Sequence, residues 1–157
     1  MTEEKALIYV VDDDPSVGRA LERLMRSAGY EVRTFTSALG FLDDGMPEAS
    51  ACLVLDVNMP GLNGLELQEY LGEKGISLPI VFITGVGTVP DSVKAMKAGA
   101  IDFLQKPFND EDLLSAISRA IGAGRRLKED HEQRKKLLAR LESLTPREYE
   151  VFGLVVS

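Results

Sequence analysis

Short segments rich in apolar and β-branched residues alternate, over the first 120 or so residues, with longer segments whose apolar positions recur every three to four residues. The short segments have the composition of strands buried in a sheet. The longer ones have the period of amphipathic helices. Five strands alternating with five helices predict a doubly wound α/β fold, with a parallel sheet covered on both faces. The predicted strands are residues 6–11, 30–35, 52–56, 79–84 and 101–105.

Helix-start signals follow four of these strands. Pro15 suits the first turn of a helix, and Glu66 stands three residues after Asn63, as in a capping box. Asn109 precedes three acids, the charge that a helix N-terminus favours. The predicted N-caps are Asp14, Ser37, Asn63 and Asn109.

The composition changes near Ala123, which divides the chain into three predicted regions. Residues 1–122 form the α/β domain. Residues 123–143 are dense in charge and predict an exposed helical linker, although a short coiled seam between two copies stays open. Residues 144–157 contain Thr145-Pro146 with Glu148 three residues after the threonine, which is a strong helix start. They predict the beginning of a further domain that is cut off.

Composition narrows the class of protein. No apolar stretch is long enough for a membrane helix, and the polar N-terminus is not a signal peptide. Cys52 is the single cysteine, so no internal disulfide can form, and we expect a cytoplasmic protein in which it is a small buried hydrophobe. The net charge of −7 argues against a general nucleic-acid binder in this chain. His131 is the single histidine and reads as a surface residue.

Polar residues stand at the carboxyl ends of the first, third, fourth and fifth predicted strands. In a parallel sheet these ends share one edge, so their side chains should lie close together. Three neighbouring carboxylates repel one another unless a cation lies among them, and oxygen ligands of this kind suit Mg²⁺ better than zinc. The residues are Asp12, Asp13, Asp56, Thr84 and Lys106.

This edge has the groups needed for phosphoryl transfer. Asp56 stands alone at the end of the central strand and is the candidate nucleophile toward phosphorus. Mg²⁺ and Lys106 would neutralise the phosphoryl oxygens, and Thr84 would donate a hydrogen bond to one of them. Asp13 is the preferred direct metal ligand, with Asp12 holding a metal-bound water. The plainer alternative is that the acids only cap a helix and the lysine is a solvated loop residue.

Four motifs resemble, in order, those of a two-component response regulator receiver domain, over about residues 6–122. That family implies a flavodoxin-like sheet with strand order 2-1-3-4-5. Two further segments, residues 95–100 and 144–148, are similar to the FixJ branch, whose output domain is a LuxR-type helix-turn-helix. The four motifs are Val11-Asp12-Asp13-Asp14, Leu55 to Gly61, Ile83-Thr84-Gly85 and Phe103 to Phe108.

The resemblance implies that Asp56 is the phosphoacceptor for a sensor histidine kinase. It also implies that Mg²⁺ is held by Asp13, Asp56 and the Asn58 carbonyl, with Asp12 assisting. The residues implied to contact the phosphoryl group are Thr84 and Lys106.

The resemblance also implies a switch formed by Thr84 and Phe103, with Phe103 at the family's aromatic switch position. Phosphorylation would draw Thr84 inward, admit the ring, and lead to a homodimer and to DNA binding by the output domain. The loop at residues 86–88 departs from the more polar loop of close relatives, which bears on the switch motion and the phosphoryl lifetime.

Two other functions use the same predicted sheet. A phosphoesterase with an aspartyl nucleophile needs a second acid two residues after it, and that place is Asn58. A flavin-binding protein needs a phosphate loop after the first strand, where three acids would repel a phosphate. The sequence therefore favours a phosphoacceptor signalling domain over an enzyme.

Overall fold

The computed structural model describes residues 6–44, 51–85 and 89–142. Five parallel strands form one sheet in the order β2-β1-β3-β4-β5, which confirms the predicted fold class and strand order. The strand bounds differ from the predicted ones by a single residue at the amino ends. The elements are β1 Leu7–Val11, α1 Pro15–Ser27, β2 Glu31–Phe35, α2 Ala38–Asp43, β3 Ala51–Asp56, α3 Gly64–Glu73, β4 Ile80–Thr84, α4 Val89–Lys97, β5 Asp102–Gln105 and α5 Asp110–Glu142.

The sheet is covered on both faces because its central strands are apolar on both sides. Every residue of β3 is buried, and so is every residue of β4. One face packs against α1 and α5 through residues such as Met25 and Ile117. The other packs against α2, α3 and α4 through residues such as Phe41, Leu67 and Ala95. Each large side chain of this kind contributes roughly 1.5–3 kcal/mol when it is fully buried.

The predicted N-caps are confirmed where the structure describes them. The carboxylate of Asp14 accepts a hydrogen bond from the Ser16 backbone N–H at 2.9 Å. The Ser37 hydroxyl caps α2, and Asn109 accepts from the Asp112 N–H at 2.8 Å. A reciprocal capping box joins Asn63 and Glu66 at the start of α3. These caps begin α1, α3 and α5 shortly after the carboxyl ends of β1, β3 and β5, which is the edge where the predicted site lies.

The chain divides into two compact units, residues 1–125 and 126–157. In the second unit the described residues are helical up to Glu142, and the division into a domain and a linker at residue 123 stays a prediction. Leu137 and Leu138 are exposed there. The predicted start of another domain at residues 144–157 lies outside the described residues, as does the side chain of His131. None of the described helices combines the length and apolar content that a membrane span requires.

Cys52 lies within β3 and has no exposed surface, as predicted for a small buried hydrophobe. Burial raises the pKa of its thiol to about 12. The thiol is therefore neutral at physiological pH and has no surface from which to react.

Candidate functional site

The register of the sheet places the carboxyl ends of its strands side by side. Val11 of β1 lies opposite Leu55 of β3. Asp12 is the residue after Val11 and Asp56 is the residue after Leu55, so the two acids come at the same level of the sheet. Thr84, the last residue of β4, lies opposite Gln105 of β5, and Lys106 follows directly. The polar residues predicted to share one edge of the sheet do share it.

Three carboxylates form a cluster at this edge. One oxygen from each of Asp12, Asp13 and Asp56 lies within 4.8 Å of the others. Asp12 is 1% exposed and Asp56 is 5% exposed, whereas Asp13 is open to solvent. Asp12 and Asp13 follow the end of β1 at Val11, where the chain leaves the extended conformation, so both carboxylates reach the same cluster although only Asp12 is buried.

Lys106 supplies the positive charge of the cluster. Its Nζ donates a hydrogen bond to Oδ2 of Asp12 at 3.0 Å, and its backbone N–H donates to the carbonyl of Thr84 at 2.7 Å. The backbone bond fixes the end of β5 against the end of β4, and this holds the ammonium beside the acids. A buried carboxylate such as Asp12 requires a partner of this kind, because an unpaired buried charge is strongly destabilising.

The pKa of Asp56 is raised to about 6. Burial is the largest cause, and the negative charge of Asp12 adds to it. A hydrogen bond from the Asn58 N–H to Oδ1 of Asp56, at 3.1 Å, and the charge of Lys106 act in the opposite direction. The charge of the Lys106 ammonium therefore does not offset the negative charge of the three carboxylates. A further cation at the site would favour the ionised form of Asp56. The three carboxylates are the hard oxygen donors that fit Mg²⁺.

Asn58 connects the acceptor candidate to the hydroxyl at the end of β4. Its side-chain Nδ2 donates to Oγ1 of Thr84 at 3.1 Å, while its backbone N–H donates to Asp56. Thr84 is fully buried, so its hydroxyl is held at the site and away from bulk water. Sequence reasoning named Asn58 for its backbone carbonyl and for standing where a phosphoesterase needs a second acid, and this side-chain contact was not predicted.

Gly64 places the start of α3 directly against the backbone of Asp56. A Cβ at this position would overlap the Asp56 carbonyl oxygen and would lie 3.0 Å from Cα of Val57. The Gly64 N–H donates to the Val57 carbonyl at 3.0 Å. Only glycine allows this approach. Sequence reasoning missed its role, although a glycine directly after the Asn63 cap was the available signal.

Phe103 lies apart from the acidic cluster. It is half-buried on β5, opposite Phe82 of β4, with ring centroids 5.9 Å apart. Its ring packs at the margin of the apolar cluster shared by α2, α3 and α4. Phe82 and Thr84 are two residues apart on one strand and so face the same side of the sheet. The two predicted switch residues therefore lie on the same side of adjacent strands. The predicted departure at residues 86–88 lies outside the described residues.

The fold and the site together define a class: a doubly wound α/β domain whose sheet edge carries three acids, a buried hydroxyl and a lysine. Residues 8–118 match the sequence model of one family, the response regulator receiver domain. The match covers more than half of the chain, and the chain belongs to this family of two-component signalling proteins.

The chain is similar in sequence, over almost its whole length, to several named proteins. The response regulator protein TmoT of Ectopseudomonas mendocina is 47% identical over 99% of this chain and 71% of its own length. The transcriptional regulatory protein FixJ of Azorhizobium caulinodans is 38% identical over 98% of this chain and 73% of its own length. The solved structure of the response regulator StyR is 47% identical, with a TM-score of 0.87 over 95% of this chain and 75% of that one.

Proposed function

We propose that this receiver domain accepts a phosphoryl group on Asp56 from a sensor histidine kinase and thereby controls transcription. The observation that carries the proposal is the convergence on Asp56, which is itself buried, of two further carboxylates and one ammonium at the same edge of the sheet. This arrangement suits a nucleophile that must be ionised and must then bear a second, larger negative charge.

The chemistry is a displacement at phosphorus. An ionised Asp56 oxygen forms a bond to phosphorus with its lone pair, and the bond from phosphorus to the donor breaks, leaving an acyl phosphate on the side chain. Lys106 and Thr84 would contact the phosphoryl oxygens, Lys106 by its charge and Thr84 by donating its hydroxyl proton in a hydrogen bond. Bound Mg²⁺ would add neutralising charge, held by the carboxylates of Asp13 and Asp56 and the carbonyl of Asn58, with Asp12 assisting.

The phosphoryl group would act as a switch because it adds about 1.5 to 2 negative charges at Asp56. Thr84 would leave the Asn58 amide to donate to a phosphoryl oxygen, and the space it vacates would admit the ring of Phe103. The positions of these residues on adjacent strands support that coupling. The change is a shift of population between two packings, biased by one charge.

Three partners complete the proposal. They are the histidine kinase, a second copy of the chain formed on phosphorylation, and DNA contacted through a LuxR-type output domain that begins in residues 144–157. Relatives named as transcriptional regulatory proteins support the output. We place the protein in the cytoplasm, which its single cysteine, buried in β3, supports.

Incubation with a small-molecule phosphodonor and Mg²⁺ tests the proposal. Intact-mass measurement should show a gain of one phosphoryl group that is labile to base, because acyl phosphates hydrolyse readily. Asp56→Asn should take up none. Asp43→Asn, which alters an exposed carboxylate on α2, is the matched control and should behave as the wild type. No gain in the wild type with a competent donor would reject the proposed function.

Replacing Asp13 with asparagine should weaken Mg²⁺ binding by on the order of tenfold, about 1.4 kcal/mol. The stability of the fold should not change, because Asp13 is exposed. Isothermal titration with Mg²⁺ measures the affinity. Asp14→Asn is a matched control, since it removes the same charge one residue further on while asparagine still caps the helix. An equal loss of Mg²⁺ affinity in the two variants would mean that only the overall charge matters and that Asp13 is not a metal ligand.

A further inference from the structure

Four polar residues have buried side chains in the described part of the chain, and three of them belong to the site at the sheet edge. The fourth is Gln68, on α3, which is 8% exposed. Its Nε2 donates a hydrogen bond to the backbone carbonyl of Ala95, on α4, at 3.0 Å. This buried contact joins two neighbouring helices, and nothing in the proposed phosphoryl chemistry uses it.

The bond acts on the carboxyl end of α4. The Ala95 carbonyl also accepts the N–H of Ala100 at 3.1 Å, in the turn where Gly99 has a φ of +100° and the chain leads on toward β5. Gln68 therefore fixes the point from which the chain proceeds to Phe103. At its other end, α4 begins five residues after Thr84. The helix thus lies, along the chain, between the two switch residues.

Burial makes this bond specific for one position of α4. An amide removed from water is destabilising unless it is hydrogen-bonded. Ala95 has no exposed surface, so water cannot take the place of the Gln68 amide there. A displacement of α4 relative to α3 must therefore break the bond and leave the Gln68 amide without its partner. Phe103 packs at the margin of the same apolar cluster that contains Ala95, so the helix and the ring share one packing environment.

We propose that Gln68 is a positioning residue that holds α4 in the unphosphorylated arrangement and opposes the switch. The inference rests on the proposed function, because it assigns a restraint to the same phosphoryl-driven change. With the hydrogen bond from Gln68 intact, the arrangement of α4 that phosphorylation favours is a minor population. Loss of this hydrogen bond raises that population before any phosphoryl group is present.

Linkage between sites gives the restraint a measurable consequence at Asp56. If binding at Asp56 favours the switched arrangement of α4, then a substitution that favours the same arrangement must also strengthen binding at Asp56. A side chain that only contributed to general stability would have no such effect. The affinity for a phosphoryl mimic therefore separates the two roles.

The test uses the full chain with Gln68→Met, which keeps the length of the side chain and removes its donor. The probe is beryllofluoride with Mg²⁺. Its affinity should rise by roughly three- to tenfold, the range expected for loss of a single hydrogen bond. Amide hydrogen exchange should become faster at the end of α4 and in the turn after it, from Ala95 to Gly99, and stay unchanged in α1. Gln68→Leu provides a second variant without the donor if the methionine variant folds poorly.

Ile117→Val is the matched control, because it removes one buried methyl group from α5 on the opposite face of the sheet. It should lower the stability without changing the affinity for beryllofluoride. An unchanged affinity in both Gln68 variants, or an equal rise in Ile117→Val, would overturn the restraint and leave the proposed function intact. If the wild type binds no beryllofluoride and takes up no phosphoryl group, the proposed function itself fails.

Discussion

Replacing Asp56 with asparagine is expected to stabilise the metal-free domain at pH 7, by roughly 2 to 3 kcal/mol, while abolishing phosphoryl uptake. The wild-type carboxylate is ionised at that pH although burial and the charge of Asp12 raise its pKa to about 6. An amide of the same shape carries no charge and can still accept the hydrogen bond from the Asn58 N–H. The residue that we propose as the phosphoacceptor therefore lowers the stability of the fold.

The direction in which the stability changes with pH follows from proton binding by Asp56. The pKa of Asp56 rises from 3.8 in the unfolded chain to about 6 in the folded one, so between these values the folded form binds more protons. The stability contributed by protonated Asp56 is complete below about pH 4 and is lost as the pH rises through about 6. Urea unfolding in chelator-treated buffer, from about pH 4 to pH 7, should show this loss in the wild type and a smaller one in Asp56→Asn.

Asp43→Asn again provides the matched control, since that carboxylate is exposed on α2 and should leave the pH profile unchanged. An Asp56→Asn variant that is less stable than the wild type at pH 7 would contradict the raised pKa. So would a pH profile identical to that of the wild type.

Gly64→Ala is expected to destabilise the domain by about 3 kcal/mol or more. The added Cβ would overlap the carbonyl oxygen of Asp56, and the neighbouring atoms belong to the backbone of β3 and the residue after it, which cannot turn away as a flexible side chain can. Relief requires α3 to move off the end of the central strand. Phosphoryl uptake by Asp56 should fall as well, because the same movement displaces the acceptor.

Gly72→Ala supplies a control within the same helix. A Cβ at Gly72 meets nothing within 4 Å, and alanine favours a helix by up to about 1 kcal/mol over glycine. We therefore expect denaturant unfolding to show a large loss for Gly64→Ala and a neutral or stabilising effect for Gly72→Ala. Similar losses in both variants would mean that helix backbone effects, and not the contact with Asp56, account for the result.

Features that depend on a few neighbouring residues were predictable from the sequence. The helix starts at Asp14, Ser37 and Asn63 depend on side chains that bond to N–H groups within three residues. The strands were predictable because short apolar runs rich in β-branched residues alternate with helical segments, which is the pattern of a parallel sheet buried on both faces. The edge that gathers Asp12, Asp56, Thr84 and Lys106 then followed from the parallel topology alone.

Features that depend on a distant partner were not predictable. Gln68 precedes its partner Ala95 by 27 residues, and a glutamine within an amphipathic helix has the same local pattern whether it faces water or a neighbouring helix. Gly64 has an ordinary place in the helix start, and its contact with the Asp56 carbonyl depends on how closely α3 approaches β3. The side-chain bond from Asn58 to Thr84 likewise joins the loop after β3 to the end of β4, 26 residues further on.

Because Cys52 is buried, the reactivity of its thiol reports the rate at which the sheet opens. The only thiol of the protein lies in the central strand, between β1 and β4, with no exposed surface and a pKa of about 12. Alkylating reagents attack the thiolate, so modification must await an opening that separates β3 from its neighbours. The rate of alkylation therefore reports how often the middle of the sheet opens, and no further cysteine has to be introduced into the chain for the measurement.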